Sequence, residues 1–194
     1  MKDLYLIRHA ASVPAGHLYG RTDADIGDIA PETIRFLQSR LARCTSIYSS
    51  PARRCVKSCH AVFPKSNASV QHNPTEIPQF WEQSFGAWEG LAYDKLPDIG
   101  DLSGEALTHF TPPDGESFAD VCERVQPALL DLVAQDPAEA IAIFGHAGMI
   151  RAILALAFDS QTAALRCEIG HLSLTRLRVL PQQQFSVVCI NATS

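Results

Sequence analysis

Three short apolar runs, each followed within a few residues by a basic or imidazole side chain, constrain the fold of this chain most. The runs are LYLI at residues 4–7, TSIYSS at 45–50 and AIAIFGH at 140–146. Runs of this length without polar alternation are typical of strands that are covered on both faces. We therefore expect a buried, largely parallel sheet whose strand ends carry polar residues.

The remaining periodicity completes an alternation of strands and helices. Two later runs, SLTRLRVL and FSVVCI, alternate better and are separated by PQQQ, which predicts a terminal hairpin at a sheet edge. The pattern favours an α/β three-layer sandwich in a single domain over 1–194, with a mostly parallel central sheet, an antiparallel edge and helices on both faces. The expected strands are 3–8, 45–50, 69–75, 140–145, 173–180 and 185–190, and the expected helices are 31–42, 52–62, 117–133 and 148–158.

Two regions depart from regular patterning. Ser117 and Asp120 form a capping box at the start of the helix over 117–133, and Pro127 inside it is expected to kink or split the helix. Residues 76–116 have little regular period but are rich in glycine, proline and aromatic residues, which is typical of a functional loop. We expect its two tryptophans, Trp81 and Trp88, to anchor the loop.

Composition excludes several classes of function. The 194 residues carry a net charge of −5, which argues against non-specific binding to nucleic acid or to an anionic membrane surface. No apolar stretch is long enough to span a bilayer, and the N-terminus lacks a signal-peptide pattern. The six cysteines contain no CxxC pair, so we expect reduced thiols in a cytoplasmic protein.

The strand ends gather residues that suit a phosphoryl group. The first run ends in Arg8 and His9, the second leads to Arg53 and Arg54, and the third ends in His146. Sites in open α/β sheets form beyond the carboxyl ends of the parallel strands, and guanidinium groups bind phosphate oxygens in bidentate fashion. The alternatives to a phosphoryl site are that Arg8 and His9 are a solvated pair at a strand end and that Arg54 forms a surface ion pair.

Five segments carry a family resemblance. LIRHA, SSPARRCVKSC, WEQSFGAWEG, PDGESF and GHAGMIRAIL resemble, in order, the signature segments of the histidine phosphatase (phosphoglycerate-mutase-like) superfamily, from residue 4 to about 175. The resemblance implies that His9 is the phosphate-accepting nucleophile and that Glu82 is the acid that protonates the leaving oxygen and then activates water. It implies a phosphate pocket of Arg8, Arg54 and His146, with neither a metal nor a cofactor. His9 must be neutral to attack, and the neighbouring arginines are expected to depress its pKa.

The chain departs from the family pattern around this pocket. Ala10, Ala11 and Ala147 replace residues that are glycine or polar in the family, and Pro14-Ala15 stands where an asparagine is frequent. These changes affect substrate placement more than the core chemistry. Candidate substrate-binding residues are Ser12, Tyr19, Arg21, Thr22 and Ala147, although the loop 18–26 is equally consistent with an ordinary turn. The remaining histidines are expected to be surface or satisfied residues: His17, His60, His72, His109 and His171.

The resemblance leaves several functions open. LYGRTDADI and FWEQSFGAWEG are most similar to the α-ribazole phosphatase branch, which implies a phosphomonoesterase acting on a small phosphorylated metabolite. A phosphoglycerate mutase-type phosphotransferase is the first alternative, disfavoured because mutases of the family carry longer insertions. A non-catalytic phosphate-binding module is the second, disfavoured because His9 and Glu82 are both present. The expected partner is the small substrate, and a homodimer is possible through the edge strand.

Overall fold

A mixed sheet forms the centre of the computed structural model, which describes residues 1–63 and 73–194. The neighbouring strands lie in the order β5-β4-β6-β1-β7-β8, and a separate small sheet pairs β2 with β3. The pairs β5–β4, β4–β6 and β6–β1 are parallel, whereas β1–β7 and β7–β8 are antiparallel. The strands are β1 (Lys2–Arg8), β2 (Ser12–Val13), β3 (Asp25–Ile26), β4 (Ser46–Ser49), β5 (Thr75–Glu76), β6 (Ala140–Gly145), β7 (Leu174–Val179) and β8 (Phe185–Ala192).

Helices cover both faces of this sheet. The helices are α1 (Pro31–Leu41), α2 (Arg53–Val62), α3 (Gly104–His109), α4 (Phe118–Gln135), α5 (Ala147–Phe158) and α6 (Gln161–Leu165). Leu4 and Leu6 of β1 pack into one core cluster with residues of α4 and α5, whereas Tyr5 and Ile7 pack into the other with residues of α1 and α2. Successive strand residues point to opposite faces, so an uninterrupted apolar run is what a strand between two helix layers needs.

The predicted architecture is confirmed, with local differences. The antiparallel pair β7–β8 forms the sheet edge, as the alternating runs predict. Residues 69–72 of the expected strand 69–75 lie outside the described residues, and β5 overlaps the expected range at Thr75. The capping box of Ser117 and Asp120 is present, and α4 continues through Pro127 as one helix, so the proline does not split it.

Residues 76–116, the segment with little sequence periodicity, contain more regular structure than their pattern predicts. Short 3₁₀ turns lie at Pro78–Phe80, Gly86–Trp88 and Tyr93–Lys95, followed by α3. Its first part crosses the carboxyl ends of the strands, where it brings Glu82 beside α5. Within the described residues, no helix combines the length and hydropathy that crossing a membrane requires.

Candidate active site

Three adjacent strands deliver the basic residues to one edge of the sheet. β1 ends at Arg8, and the backbone N–H of His9 donates to the carbonyl oxygen of Gly145 at 2.9 Å, one residue before His146. The backbone N–H of Ser50, just beyond β4, donates to Phe144 in the same way at 2.9 Å. The ladder bonds therefore continue past the strand ends. They bring the rings of His9 and His146 to a centroid distance of 5.2 Å.

His9 is a buried, neutral imidazole. Its side chain is 6% exposed, and its Nδ1 lies 2.6 Å from the carbonyl oxygen of Ala10. Because a carbonyl oxygen can only accept, Nδ1 carries the proton and the lone pair of the neutral ring is on Nε2. Burial lowers the pKa of His9 well below its ordinary value, and the charge of Arg54 lowers it further. The predicted direction is confirmed, but burial contributes more than the arginines.

Arg54 is fully buried and is held by carbonyl groups of the loop that precedes β3. Its Nη1 donates to the Thr22 carbonyl at 2.9 Å, and its Nη2 donates to the Gly20 carbonyl at 2.7 Å. The neighbouring Arg53, by contrast, is exposed and pairs with Asp23 at 3.6 Å. The two adjacent arginines thus have different environments, and Arg54 is the one that lies beside the histidines.

Two guanidinium groups retain a free donor at this site. Nη1 of Arg8 donates to the Ile169 carbonyl at 2.6 Å. Among the described residues, Nε of Arg8 and Nε of Arg54 are buried and have no hydrogen-bond partner. Leaving a buried donor unpaired costs on the order of 1–3 kcal/mol, and more when the group is charged. Such donors are satisfied by an anion with several acceptor oxygens, which is what a phosphoryl group provides.

His146 orients Arg54. Its Nδ1 lies 3.2 Å from Nη2 of Arg54, which can only donate, and its Nε2 lies 2.8 Å from Oγ of Ser50. The ring is fully buried, and burial followed by the Arg54 charge lowers the pKa of His146 well below its ordinary value. The indole ring of Trp81 stacks on the imidazole of His146, with centroids 6.3 Å apart and planes at 10°. Trp81 is therefore part of the site and not only a loop anchor.

Glu82 is a buried carboxylate that faces the same cavity as His9. Its Oε2 accepts from the backbone N–H of Gly148 at 3.1 Å, and its Oε1 accepts from Gln83 at 3.0 Å. Gly148 lies in the first turn of α5, so the helix N-terminus supplies one of the two donors. The irregular segment thus contributes a carboxyl group to a site that is otherwise built by strand ends.

Arg8, His9 and Glu82 line a cavity of about 130 Å³, whereas Arg54 and His146 lie behind its lining. Of the candidate substrate-binding residues, Ser12 and Tyr19 line it. Arg21 instead pairs with Glu116 at 3.2 Å, and Ala147 is the first residue of α5. Thr22 acts through its carbonyl oxygen, which accepts from Arg54.

The structure also brings in residues that sequence reasoning missed. His171 is exposed, as expected, yet its ring centroid lies 5.4 Å from that of His9, and it lines the cavity together with His17 and Tyr93. Desolvation and the Arg8 charge lower the pKa of His171 to about 4. No local spacing links these residues to His9, because they come from three separate segments.

Glu89 is a further missed residue, in the quoted segment WEQSFGAWEG. Its carboxylate accepts backbone N–H groups from Gly20, Arg21, Thr22 and Phe85 at 2.8 to 3.1 Å. Burial alone raises the pKa of a carboxyl group, but these donors hold the pKa of Glu89 below its usual value. Glu89 therefore fixes the loop whose carbonyl groups hold Arg54.

Arg124 and Glu116 stabilise the loop that carries Glu82. Arg124 lies on α4 and donates to the carbonyl oxygens of Gln79, Trp81 and Glu82 at 2.6, 2.8 and 2.9 Å. Its Nε and Nη2 also donate to the two carboxylate oxygens of Glu116 at 2.9 and 3.0 Å. One arginine thus ties the backbone around Glu82 to the longest helix.

Comparison with known proteins is consistent with this geometry. A family model described as the histidine phosphatase superfamily (branch 1) matches residues 4–193. A bifunctional protein of Mycobacterium tuberculosis is 31% identical over 116 residues, covering 58% of this chain and 32% of that protein. A metal-independent phosphoserine phosphatase of Arabidopsis thaliana is 23% identical over 161 residues, covering 78% of this chain and 66% of that protein. The chain therefore spans about a third of the length of the first curated relatives it matches.

Solved structures match the whole fold. A mycobacterial glucosyl-3-phosphoglycerate phosphatase aligns with a TM-score of 0.84 and 19% identity, covering 100% of both chains. A putative alpha-ribazole-5'-P phosphatase from Escherichia coli aligns with a TM-score of 0.80 and 18% identity, covering 98% of this chain and 96% of that one. At these identities the likeness establishes a shared fold.

Proposed function

Because the chain belongs to the histidine phosphatase superfamily, we propose that it is a metal-independent phosphomonoesterase that hydrolyses a small phosphorylated metabolite through a phosphohistidine at His9. The phosphatases among its relatives support the enzyme class. One observation carries the mechanism: a buried imidazole with its Nδ1 bonded to a carbonyl oxygen lies beside two guanidinium groups with unpartnered Nε–H donors.

In the first step, Nε2 of His9 attacks the phosphorus atom. A P–N bond forms as the bond between phosphorus and the leaving oxygen breaks. The Nε–H groups of Arg8 and Arg54 donate to the non-bridging oxygens, whose charge they stabilise in the transition state. His146 contributes by holding the Arg54 guanidinium at 3.2 Å.

Glu82 moves the protons. Its carboxyl group donates a proton to the leaving oxygen in the first step, which releases a neutral alcohol. The resulting carboxylate then accepts a proton from the water molecule that attacks the phosphohistidine, so the P–N bond breaks and inorganic phosphate leaves. The two N–H donors on the carboxylate fix its position through both steps.

The remaining candidate residues enter this proposal with different roles. Ser12 and Tyr19, as lining residues, are proposed to contact the substrate directly. Arg21 and Thr22 belong to the loop around Arg54, and their proposed effect on binding is indirect. Ala147 does not line the cavity but begins α5 beside Gly148, so its proposed effect on binding is also indirect.

Among small metabolites, α-ribazole 5'-phosphate is the specific candidate. It is supported by the resemblance of the segments LYGRTDADI and FWEQSFGAWEG to that branch. The shared fold with a putative alpha-ribazole-5'-P phosphatase is compatible with it. A cytoplasmic location fits the six free cysteines.

Hydrolysis of a panel of phosphomonoesters tests the function. The panel contains α-ribazole 5'-phosphate, phosphoserine and 3-phosphoglycerate, each with EDTA present, and compares wild type with His9→Ala and Glu82→Gln. We expect phosphate release that EDTA does not affect, a loss of about 10³-fold or more in His9→Ala and about 10²-fold or more in Glu82→Gln. His109→Ala, at an exposed position on α3, is the matched control.

Three results would contradict the proposal. Folded wild-type protein that releases no phosphate but binds it tightly would indicate a phosphate-binding module. Conversion of 3-phosphoglycerate to its isomer without phosphate release would indicate a phosphotransferase. Loss of activity in EDTA that added metal restores would overturn metal independence.

A further inference from the structure

The outer part of the cavity is lined by aromatic and imidazole side chains. His17, Tyr19, Tyr93 and His171 line it around the deeper His9. Tyr93 is 58% exposed, whereas His9 is only 6% exposed, so these four side chains lie nearer to solvent than the nucleophile. We call these four side chains the rim.

Hydrogen bonds and ring contacts hold the rim in place. His17 and Tyr19 stack with centroids 6.0 Å apart and planes at 28°, and the Tyr19 hydroxyl donates to the Pro14 carbonyl at 3.1 Å. The backbone N–H of Tyr93 donates to Gly16 at 2.9 Å. The residue after His171, Leu172, donates its N–H to the carbonyl of Arg8 at 3.0 Å. The rim is therefore anchored to the catalytic strand and to the loop that follows it.

The cavity has little positive charge outside the phosphate pocket. Among the described residues that line it, Arg8 is the one arginine or lysine. Arg8 is committed to the Ile169 carbonyl and, in the proposed function, to the phosphoryl group. Arg21 does not line the cavity and is paired with Glu116. A carboxylate on the leaving group would thus enter a partly desolvated site in which no further cation compensates its charge, which is unfavourable.

We propose that the rim is a subsite for the leaving group and that it selects phosphate esters of uncharged, ring-bearing alcohols, such as sugars or nucleosides. This inference rests on the proposed phosphomonoesterase function. Aromatic faces stack on planar rings and on the apolar faces of sugars, and imidazole and phenol groups hydrogen-bond to hydroxyl groups. Esters of carboxylate-bearing alcohols lack a partner for their second charge.

A set of matched esters tests the selectivity. Ribose 5-phosphate and a nucleoside 5'-monophosphate provide uncharged rings, glycerol 1-phosphate provides an uncharged chain, and phosphoserine and 3-phosphoglycerate carry a carboxylate. We expect kcat/KM for the better ring ester to exceed that for both carboxylate esters by about tenfold or more, with glycerol 1-phosphate between them. Equal or faster hydrolysis of either carboxylate ester would overturn the inference while leaving the proposed function intact.

Variants of Tyr93 connect the selectivity to the rim. Tyr93→Ala is expected to raise KM for the ring ester about tenfold more than KM for glycerol 1-phosphate, whereas Tyr93→Phe, which retains the ring, keeps most of the preference. Phe158→Ala, an exposed aromatic position at the end of α5 that is outside the cavity lining, is the control. A loss of the same size on every ester would indicate a structural effect and would overturn the role of the rim.

Binding separates this inference from the proposed function. If wild-type protein hydrolyses none of the esters, the proposed function fails, and calorimetric titration of His9→Ala with the same esters still measures the rim. Tighter binding of the ring esters than of the carboxylate esters would support the subsite. Equal or weaker binding would overturn it.

Discussion

Gly148 is the residue at which a single methyl group should change the chemistry. Its backbone N–H holds Oε2 of Glu82 at 3.1 Å, and a Cβ atom built on Gly148 would lie 2.3 Å from Oε1 of the same carboxylate. This separation is far shorter than a van der Waals contact, so an alanine would have to push the carboxylate away. The backbone needs no special dihedral angle here, and the requirement for glycine comes from Glu82 alone.

Gly148→Ala is therefore expected to lower kcat about 10- to 100-fold, because displacing an acid–base group by about 1 Å costs a factor of this size. Steady-state kinetics on the best ester and on 4-nitrophenyl phosphate measure the effect. The loss should be smaller on the second substrate, whose leaving group needs less protonation. Gly27→Ala, where the added Cβ would meet Val13 at an ordinary 3.4 Å, is the matched control. Wild-type kcat in Gly148→Ala on both substrates would contradict the role given to Glu82.

At the scale of elements, two loops reach the site and each is held by its own carboxylate. Glu89 collects the N–H groups of the loop that holds Arg54, and Glu116 pairs with Arg124, which collects the carbonyl groups around Glu82. In the proposed mechanism, one network therefore positions a phosphate-binding side chain, and the other positions the acid. Substitutions in the two networks should therefore change different kinetic parameters.

Glu89→Gln is expected to raise KM and the inhibition constant of inorganic phosphate about tenfold, with a smaller change in kcat. The amide has one acceptor oxygen where the carboxylate has two, and its NH₂ group faces N–H donors, so the loop and the Arg54 guanidinium lose their fixed position. Glu105→Gln, on an exposed side chain of α3, is the control. An unchanged KM together with a strongly reduced kcat would show that the loop acts on Glu82 instead.

The difference between local sequence patterns and long-range hydrogen bonds explains which elements the sequence predicts. The strands around β1 and the helices α1, α2, α4 and α5 follow from apolar periodicity, which is local, and their bounds agree to within a few residues. The order in residues 76–116 depends instead on bonds such as Arg124 to Gln79 and Glu89 to Gly20, between residues far apart in the chain. No local pattern contains those bonds, so the 3₁₀ turns and α3 are missed.

Across the whole molecule, the topology assembles the part of the site that the sequence predicts. His9, His146 and Arg54 follow adjacent parallel strands, so the rule that such ends meet is enough to bring them together. The rim residues Tyr93 and His171 come from a loop and from the turn before β7, and their position depends on the completed fold. Sequence reasoning thus finds the residues that gather at the strand ends and misses the side chains that surround them.

The burial of the two site histidines should also affect the stability of the whole chain. An unfolded histidine takes up a proton near pH 6.5, whereas His9 and His146, whose pKa values are lowered by burial, stay neutral to lower pH in the folded state. As pH falls below 6.5, the unfolded state binds more protons than the folded state, so the free energy of unfolding decreases. The decrease is at most about 1.4 kcal/mol per pH unit for each histidine.

Urea denaturation between about pH 7 and about pH 5 measures this dependence. His146→Gln is expected to lose stability at pH 7 through its buried contacts but to show a shallower decrease toward pH 5, by up to one proton's contribution. His109→Gln, at an exposed position, is the control and should keep the wild-type slope. A free energy of unfolding that rises as the pH falls would contradict the assignment of buried, neutral histidines.

The measurement that tests the central claim most directly is the location of the phosphoryl group during turnover. Wild type and Glu82→Gln are mixed with 4-nitrophenyl phosphate, whose leaving group needs little protonation, so that only the hydrolysis step depends on Glu82. The mixtures are quenched in alkaline denaturant that preserves phosphohistidine and are analysed by intact mass and peptide mapping. We predict one added phosphoryl group on the peptide containing His9, with a larger fraction in Glu82→Gln because its phosphoenzyme lacks the base that activates water. A phosphoryl group on another side chain, such as His146 or His171, or full turnover by His9→Ala, would contradict it.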